Sequence, residues 1–185
     1  REHRKQVDAA VDGGVPGAFL FLTGAERVKS TLVAGNWDLM ISVDASDEER
    51  TGLAGAYGLV NSKQVINLDH HPTNTVFGDV VLVAPQAVSA TEIIFMWLQQ
   101  IGLQLSPEVA APLLTGLVTD TLGFRTSNVN PTTFDIARQL MEAGAPLHEI
   151  IQRTLVSKPY SAVELWRASL QSVKLQDSII SAVIT

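Results

Sequence analysis

The sequence predicts an α/β fold in which a mainly parallel sheet is covered by helices on both faces. Three observations carry this reading. Short apolar runs recur along the chain at residues 39–43, 65–68 and 80–83. Helical patterns, rather than tight hairpin turns, separate most of them. Two of the runs end directly in a carboxylate, Asp44 and Asp69. With 185 residues, 46% of them hydrophobic, the chain is long enough to bury one substantial core, so one domain with an appendage is the expected organisation.

In chain order, residues 1–4 read as the polar end of a helix. Residues 5–11 alternate Val7, Ala9 and Val11 against polar neighbours, the period of a half-buried strand. A Gly13-Gly14-Val15-Pro16-Gly17 turn and a short apolar segment at 18–22 lead to a helical stretch around 25–33. The strand at 39–43 is followed by a helix start, with Ser46 or Asp47 as N-cap and acids in the first turn. After the strands at 65–68 and 80–83, Ser89-Ala90-Thr91-Glu92 reads as a capping box. The helix it opens has Ile93, Ile94, Trp97, Leu98 and Ile101 on its core face.

Ser106-Pro107-Glu108 opens the next helix, where Pro112 is placed to kink it. That helix arrives at Thr119-Asp120-Thr121. Asn130-Pro131 caps another, with Phe134, Ala137, Leu140 and Met141 expected inside and Gly144 as the stop. Helical patterns at 146–155 and 160–175 and a terminal strand at 179–184 complete the reading. There is no internal repeat.

Composition narrows the function classes. A net charge of −6 argues against a long polyanion held by bulk attraction, which needs clustered Lys and Arg. The absence of cysteine excludes disulfides and thiolate metal sites. No apolar run approaches about 20 residues and no signal-peptide pattern is present, so a soluble, cytoplasmic protein with no membrane partner is expected. The chain begins at Arg1 and stops in an apolar run at Thr185, as a piece of something longer would.

The chemistry gathers at the ends of apolar elements: Asp44, Asp69 with His70 and His71, and Asp120. Loops at strand ends are where α/β proteins keep their sites. One Asp or His after a strand is ordinarily a turn residue. Several arriving together are more informative. Mixed oxygen and nitrogen ligands without thiolate suit Mn²⁺, Mg²⁺, Fe²⁺ or Zn²⁺, and a carboxylate-bridged metal pair suits phosphoryl hydrolysis by activated water.

Asp69-His70-His71-Pro72-Thr73-Asn74, with Val43-Asp44-Ala45-Ser46-Asp47 and Arg50 before it and Gly116-Leu117-Val118-Thr119-Asp120-Thr121 after it, resembles the DHH phosphoesterase family. Within that family it is most similar to the bifunctional oligoribonucleases and 3'-phosphoadenosine 5'-phosphate (pAp) phosphatases. The resemblance implies that Asp44 bridges two Mn²⁺ ions, with Mg²⁺ as an alternative, and that His70 and Asp120 complete the ligands of the second. It also implies that His71 contacts the scissile phosphate and Asp69 orients and polarises a neighbouring histidine. Arg50 and Arg125 are candidates for phosphate contact or site bracing, with a surface ion pair as the ordinary alternative for each. His3 and His148 receive no role.

The implied activity is hydrolysis of short oligonucleotides, pAp or small linear or cyclic dinucleotides. Short oligonucleotides or nucleotide phosphates are therefore the expected partners, without long duplex nucleic acid, and a homodimer is left open. Two departures from the family pattern bear on this. Nothing before Lys5 matches the family's first metal motif, and Asp8 and Asp12 lack its histidine. No glycine-rich second domain follows Thr185. The expected division is a catalytic domain over 1–158 without its first strand and a connecting helix and strand over 159–185. A non-catalytic nucleotide-binding module and a manganese pyrophosphatase are the alternatives.

Overall fold

The computed structural model describes residues 5–183. The helix end expected at 1–4, His3 and the last residue of the terminal strand expected at 179–184 lie outside the described residues. At the centre is a three-stranded parallel sheet in the order β3 (Met40–Val43), β4 (Val65–Asp69), β5 (Val80–Val83). Met40 pairs with Val65 and Val43 with Leu68; on the other side Ile66 pairs with Val80 and Asp69 with Val83. β4 is the inner strand. Val65, Asn67, Leu68 and Asp69 are all buried, as expected when both faces of a parallel strand are covered.

The register shows which helix covers which face. Met40 shares a face with Val65, and Leu68, three residues on, points the other way. Helix α1 (Gly52–Val60) lies on the Met40 face, where a side chain at Gly58 would collide with the Met40 sulfur. Helix α2 (Ala90–Gln100) lies on the opposite face, packing Ala90 and Ile93 on Leu68.

The main core forms behind α2. It joins Val88 and Phe95 to Leu113, Leu114 and Leu117 of α3 (Pro107–Asp120), to Ile136 and Leu140 of α4 (Pro131–Glu142) and to Ile150 of α5 (Leu147–Ile151). At Gly116 a Cβ would run into Thr91, so the glycine lets α3 approach α2 closely. α3 continues through Pro112 as one helix of 14 residues.

Of the expected caps, those at Asn130 and Ser89 form, the second with a displacement; Ser106 makes no side-chain cap bond, and the helix expected to start at Ser46 or Asp47 begins as α1 only at Gly52. Asn130 Oδ1 accepts from the Thr132 and Thr133 N–H groups at 2.9 and 3.3 Å, and Thr133 Oγ1 accepts from the Asn130 N–H at 3.3 Å, a complete capping box. Ser89 Oγ accepts from the Glu92 N–H at 3.2 Å, but the Glu92 carboxylate reaches past Ser89 to the Val88 N–H at 2.9 Å.

Several expectations are corrected. The half-buried strand over 5–11 shrinks to β1 (Ala9–Ala10), paired in parallel with β2 (Val28–Lys29), and Val7 and Val11 face solvent. The helix over 25–33 is one 3₁₀ turn, Ala25–Arg27, that passes straight into β2. β-Branched Val28, Thr31 and Val33 disfavour helix there. Phe134, Met141 and Ile101 are exposed rather than core.

The pattern over 160–175 divides into α6 (Tyr160–Gln171) and β6 (Lys174–Gln176), which turns through Asp177, at φ 54°, into the antiparallel β7 (Ile179–Ser181). α5 continues as a π-helical turn, Gln152–Val156. Among the described residues no helix is long and apolar enough to cross a membrane.

Candidate metal centre

The carboxyl ends of β3 and β4 place the first four site residues. β3 delivers Asp44, whose N–H still bonds the Leu68 carbonyl at 2.9 Å before the chain leaves the sheet with φ 61°. Asp tolerates this left-handed conformation better than most side chains. Asp69 is the last residue of β4, and His70 and His71 follow it. Potential ligand atoms of Asp44, Asp69, His70 and His71 all lie within 4.8 Å of one another. Asp120, the last residue of α3, enters from the helical layer, with Oδ2 3.8 Å from His70 Nε2.

Hydrogen bonds assign the imidazoles. His70 Nδ1 lies 3.3 Å from the Ala87 carbonyl, which can only accept, so Nδ1 carries the proton and Nε2 faces the acids. That Nε2 is 3.3 Å from Asp44 Oδ1. His71 Nδ1 donates to Asp69 Oδ1 at 2.7 Å. The two rings sit 4.5 Å apart at a 55° tilt.

Asp69 is fully buried, and both of its oxygens are engaged. Oδ2 accepts from Asn74 Nδ2 at 2.7 Å. A carboxylate bound in this way orients its neighbours; it is not free to ligate.

The electrostatics match that division. Burial pushes Asp69 up, but hydrogen bonds from Asn74, from His71 and from the backbone N–H groups of His70 and His71 outweigh it and hold the carboxyl below its ordinary value. Burial, and then the nearby Asp44 carboxylate, push Asp120 up against the opposing pull of His70 and His71. The Asp44 hydrogen bond raises His70, more than burial lowers it. Asp44 and Asp120 thus crowd negative charge around one nitrogen, an arrangement a bound cation relieves.

The spacings of Asp44 and Asp120 from His70 Nε2 are compatible with ligands of one divalent metal, although Asp120 lies outside the tight group formed by Asp44, Asp69, His70 and His71. Bonds of about 2.0–2.2 Å set neighbouring ligand atoms roughly 3.0–3.4 Å apart, close to the 3.3 Å seen and a small closure from 3.8 Å. Oxygen and imidazole donors without sulfur suit Mn²⁺ or Mg²⁺ as well as Zn²⁺.

Other acids and cations are committed elsewhere. Asp12 caps α1, its carboxylate accepting from the Leu53 and Ala54 N–H groups at 2.5 and 2.9 Å. Asp8 accepts from Lys29 Nζ at 2.7 Å and Trp37 Nε1 at 3.0 Å. Arg50 pairs with Asp47 at 3.4 Å, and Arg125 Nε donates to the Leu122 carbonyl at 2.6 Å; both arginines are exposed. His148 is exposed and outside the cluster. The sequence reading singled out neither Asn67 nor Asn74, whose amides meet at the Ala45 carbonyl at 3.1 and 3.2 Å. The signal for Asn67 was an amide between Ile66 and Leu68 in an apolar strand, costly unless bonded.

No family model matches the chain. It is 31% identical over 134 residues to the bifunctional oligoribonuclease and PAP phosphatase NrnA of Thermus thermophilus, covering 72% of this chain and 40% of that protein. It is 28% identical over 146 residues to a probable bifunctional oligoribonuclease and PAP phosphatase NrnA of Streptococcus mutans, covering 79% of this chain and 46% of that one. The chain therefore spans less than half the length of these curated relatives. In fold it is similar to an exopolyphosphatase-related protein from Bacteroides fragilis, with a TM-score of 0.82 at 20% identity over 95% of this chain and 54% of that one. Motifs, relatives and architecture agree that this chain is a relative of the DHH-type phosphoesterases, on the side of the bifunctional oligoribonucleases and PAP phosphatases.

Proposed function

We propose that the chain is the metal-binding part of a Mn²⁺-dependent phosphoesterase that hydrolyses short oligonucleotides, pAp or small dinucleotides. One observation carries the reading: His70 Nε2, Asp44 and Asp120 converge at the carboxyl end of a parallel sheet, with the buried Asp69–His71 pair beside them. Asp44, His70 and Asp120 would hold the cation. When bound, it supplies Lewis-acid stabilisation of charge on phosphoryl oxygens and acidifies water.

The chain's own residues supply position and proton control. Ala87 fixes His70 with Nε2 inward. Asp69 fixes His71 with Nδ1 protonated and Nε2 directed away from it, where a proton on Nε2 would be donated to a phosphate oxygen. Arg50 and Arg125 would have to leave their present partners to reach a phosphate. The NrnA names of the relatives support nucleotide substrates. A cytoplasmic setting and a homodimer belong to the same proposal.

We assign residues 1–158 to the catalytic domain and 159–185 to a connection. The cores extend to Leu155, while α6 buries no side chain.

A second reading is a nucleotide-binding module without turnover; Asp8 and Asp12, bonded to Lys29, Trp37 and the start of α1, are not counted as ligands of a second metal in either reading. The native protein containing this chain, incubated with Mn²⁺, should release mononucleotide from a five-residue RNA or phosphate from pAp, and leave pyrophosphate intact. Ligand binding with no turnover on any phosphoester establishes the module instead. Turnover of pyrophosphate alone establishes a pyrophosphatase.

A further inference from the structure

We infer that Asn74 is a positioning residue that sets both sides of the centre, through the Ala45 carbonyl on the Asp44 side and through Asp69 on the His71 side. The inference rests on the metal-site reading above and deepens it. Three contacts give Asn74 this place. Its Nδ2 donates to Asp69 Oδ2 at 2.7 Å and to the Ala45 carbonyl at 3.2 Å, and its Oδ1 accepts from the Val76 N–H at 2.7 Å. Both amide hydrogens and one oxygen lone pair are therefore in use, so the head group is fixed in orientation.

The surroundings make Asn74 a junction between two loops. The His71 carbonyl accepts from the Asn74 N–H at 3.2 Å, closing a turn that contains Pro72. The next residue, Thr75, donates its N–H to the Ser46 carbonyl at 2.7 Å. The loop after β4 is thus laced to the loop after β3, and Asn74 is the side chain at the crossing. Asp69 has no exposed surface with Asn74 in place, so the Asn74 amide is the side-chain donor that its Oδ2 has in the folded protein. The Ala45 carbonyl follows directly on Asp44 and accepts a second amide, that of Asn67, at 3.1 Å. Two donors on one carbonyl fix the Ala45–Ser46 peptide, one residue beyond Asp44, where the chain has just left the sheet with a left-handed φ of 61°.

Loss of Asn74 has two separable consequences. On one side, Asp69 is no longer held from behind, and the His71 ring loses its fixed tautomer and direction. On the other, the Ala45 carbonyl keeps only the Asn67 amide, and the loop that begins at Asp44 is held less firmly against His70. Outer hydrogen-bond partners of metal ligands typically change affinity by about 10–100-fold when removed; Asn74 acts one bond further out, through Asp69 and the Ala45 carbonyl, so the lower end of that range is expected.

The test compares wild type, Asn74→Ala and Asn74→Asp in the native protein. Asn74→Asp keeps the acceptor for Val76 and so the turn, but replaces the donor facing Asp69 with a charge, and it stands in if Asn74→Ala does not fold. Mn²⁺ affinity is read by calorimetry, and the imidazole ¹⁵N shifts of His71 are read in metal-free protein. The expected result is at least tenfold weaker Mn²⁺ binding and replacement of the single Nδ1–H signature by a tautomer mixture in either variant. Thr75→Val, which removes only the 3.3 Å hydroxyl bond to Ser46, should change neither readout.

Wild-type affinity with a fixed His71 tautomer in a folded Asn74 variant overturns the assignment. If wild type itself binds no Mn²⁺, the metal-site reading falls, and the tautomer readout alone decides Asn74. Loss of the fixed tautomer then upholds the inference, and its retention overturns it.

Discussion

Residues 65–151 and residues 160–183 are both rich in apolar side chains, yet they are used in opposite ways. In the first, β4 and helices α2 to α5 bury Leu68, Phe95, Leu114, Leu117, Leu140 and Ile150 almost completely. In the second, α6 buries none of its residues, and Trp166, Leu170, Leu175, Ile179 and Ile180 remain exposed. An amphipathic pattern specifies the element and the direction of its apolar side; a fold needs, in addition, a partner for that side. At the site only Asp69 is fully buried, held among fixed donors, while Asp44, His71 and Asp120 stand part-exposed beside it.

This contrast can be broken or sharpened experimentally. The largest effect is expected at the site. His70→Ala or Asp120→Ala in the native protein should reduce Mn²⁺-dependent phosphoester hydrolysis by at least ~10²-fold, the scale set by losing a metal ligand or its close partners. Circular dichroism should remain that of wild type, and wild-type turnover in either variant refutes the ligand assignment. In the covered region, Leu114→Ala should cost about 2–5 kcal/mol in urea unfolding, since its side chain is wholly enclosed by α3, α4 and α5. A cost under 1 kcal/mol would mean that the core relaxes around the gap.

A smaller loss, about 1 kcal/mol, should follow Asn130→Ala, which removes the acceptor for two N–H groups at the start of α4. Trp166→Ala in α6 should lie within about 0.5 kcal/mol of wild type in this chain, as for exposed positions generally. A larger loss there would show that α6 packs in solution and would remove the contrast.

Much of the fold was legible because the signals were local. β3, β4 and β5 appeared as apolar runs, α2 and α4 through Ser89 and Asn130, and the metal cluster as acids and imidazoles at element ends. What was illegible depended on distant partners. Asp12 caps a helix that begins 40 residues later in sequence, and nothing beside Asp12 announces it. The alternation over residues 5–11 marks a side, but its one strand partner among the described residues is the two-residue β2, and Val7 and Val11 stay in water. Phe134 and Met141 keep helical spacing but fall outside the arc of α4 that meets α3, where Ile136, Ala137 and Leu140 are buried. Asn74 stands in the Asp69–Asn74 motif with no role legible from sequence, because its amide joins two loops that are distant in the chain.

Asp120 differs from the other acids of the cluster in one respect: it stands on α3, whereas Asp44 and Asp69 belong to the sheet. A cation shared by Asp44, His70 and Asp120 would act as a rivet between two layers that are otherwise joined by apolar packing. Ion binding and docking of the helical layer would then be linked equilibria, each strengthening the other. At an ion concentration 100 times the dissociation constant, mass action adds about 2.7 kcal/mol to the folded state. The centre would therefore contribute to the rigidity of the molecule as well as to its chemistry.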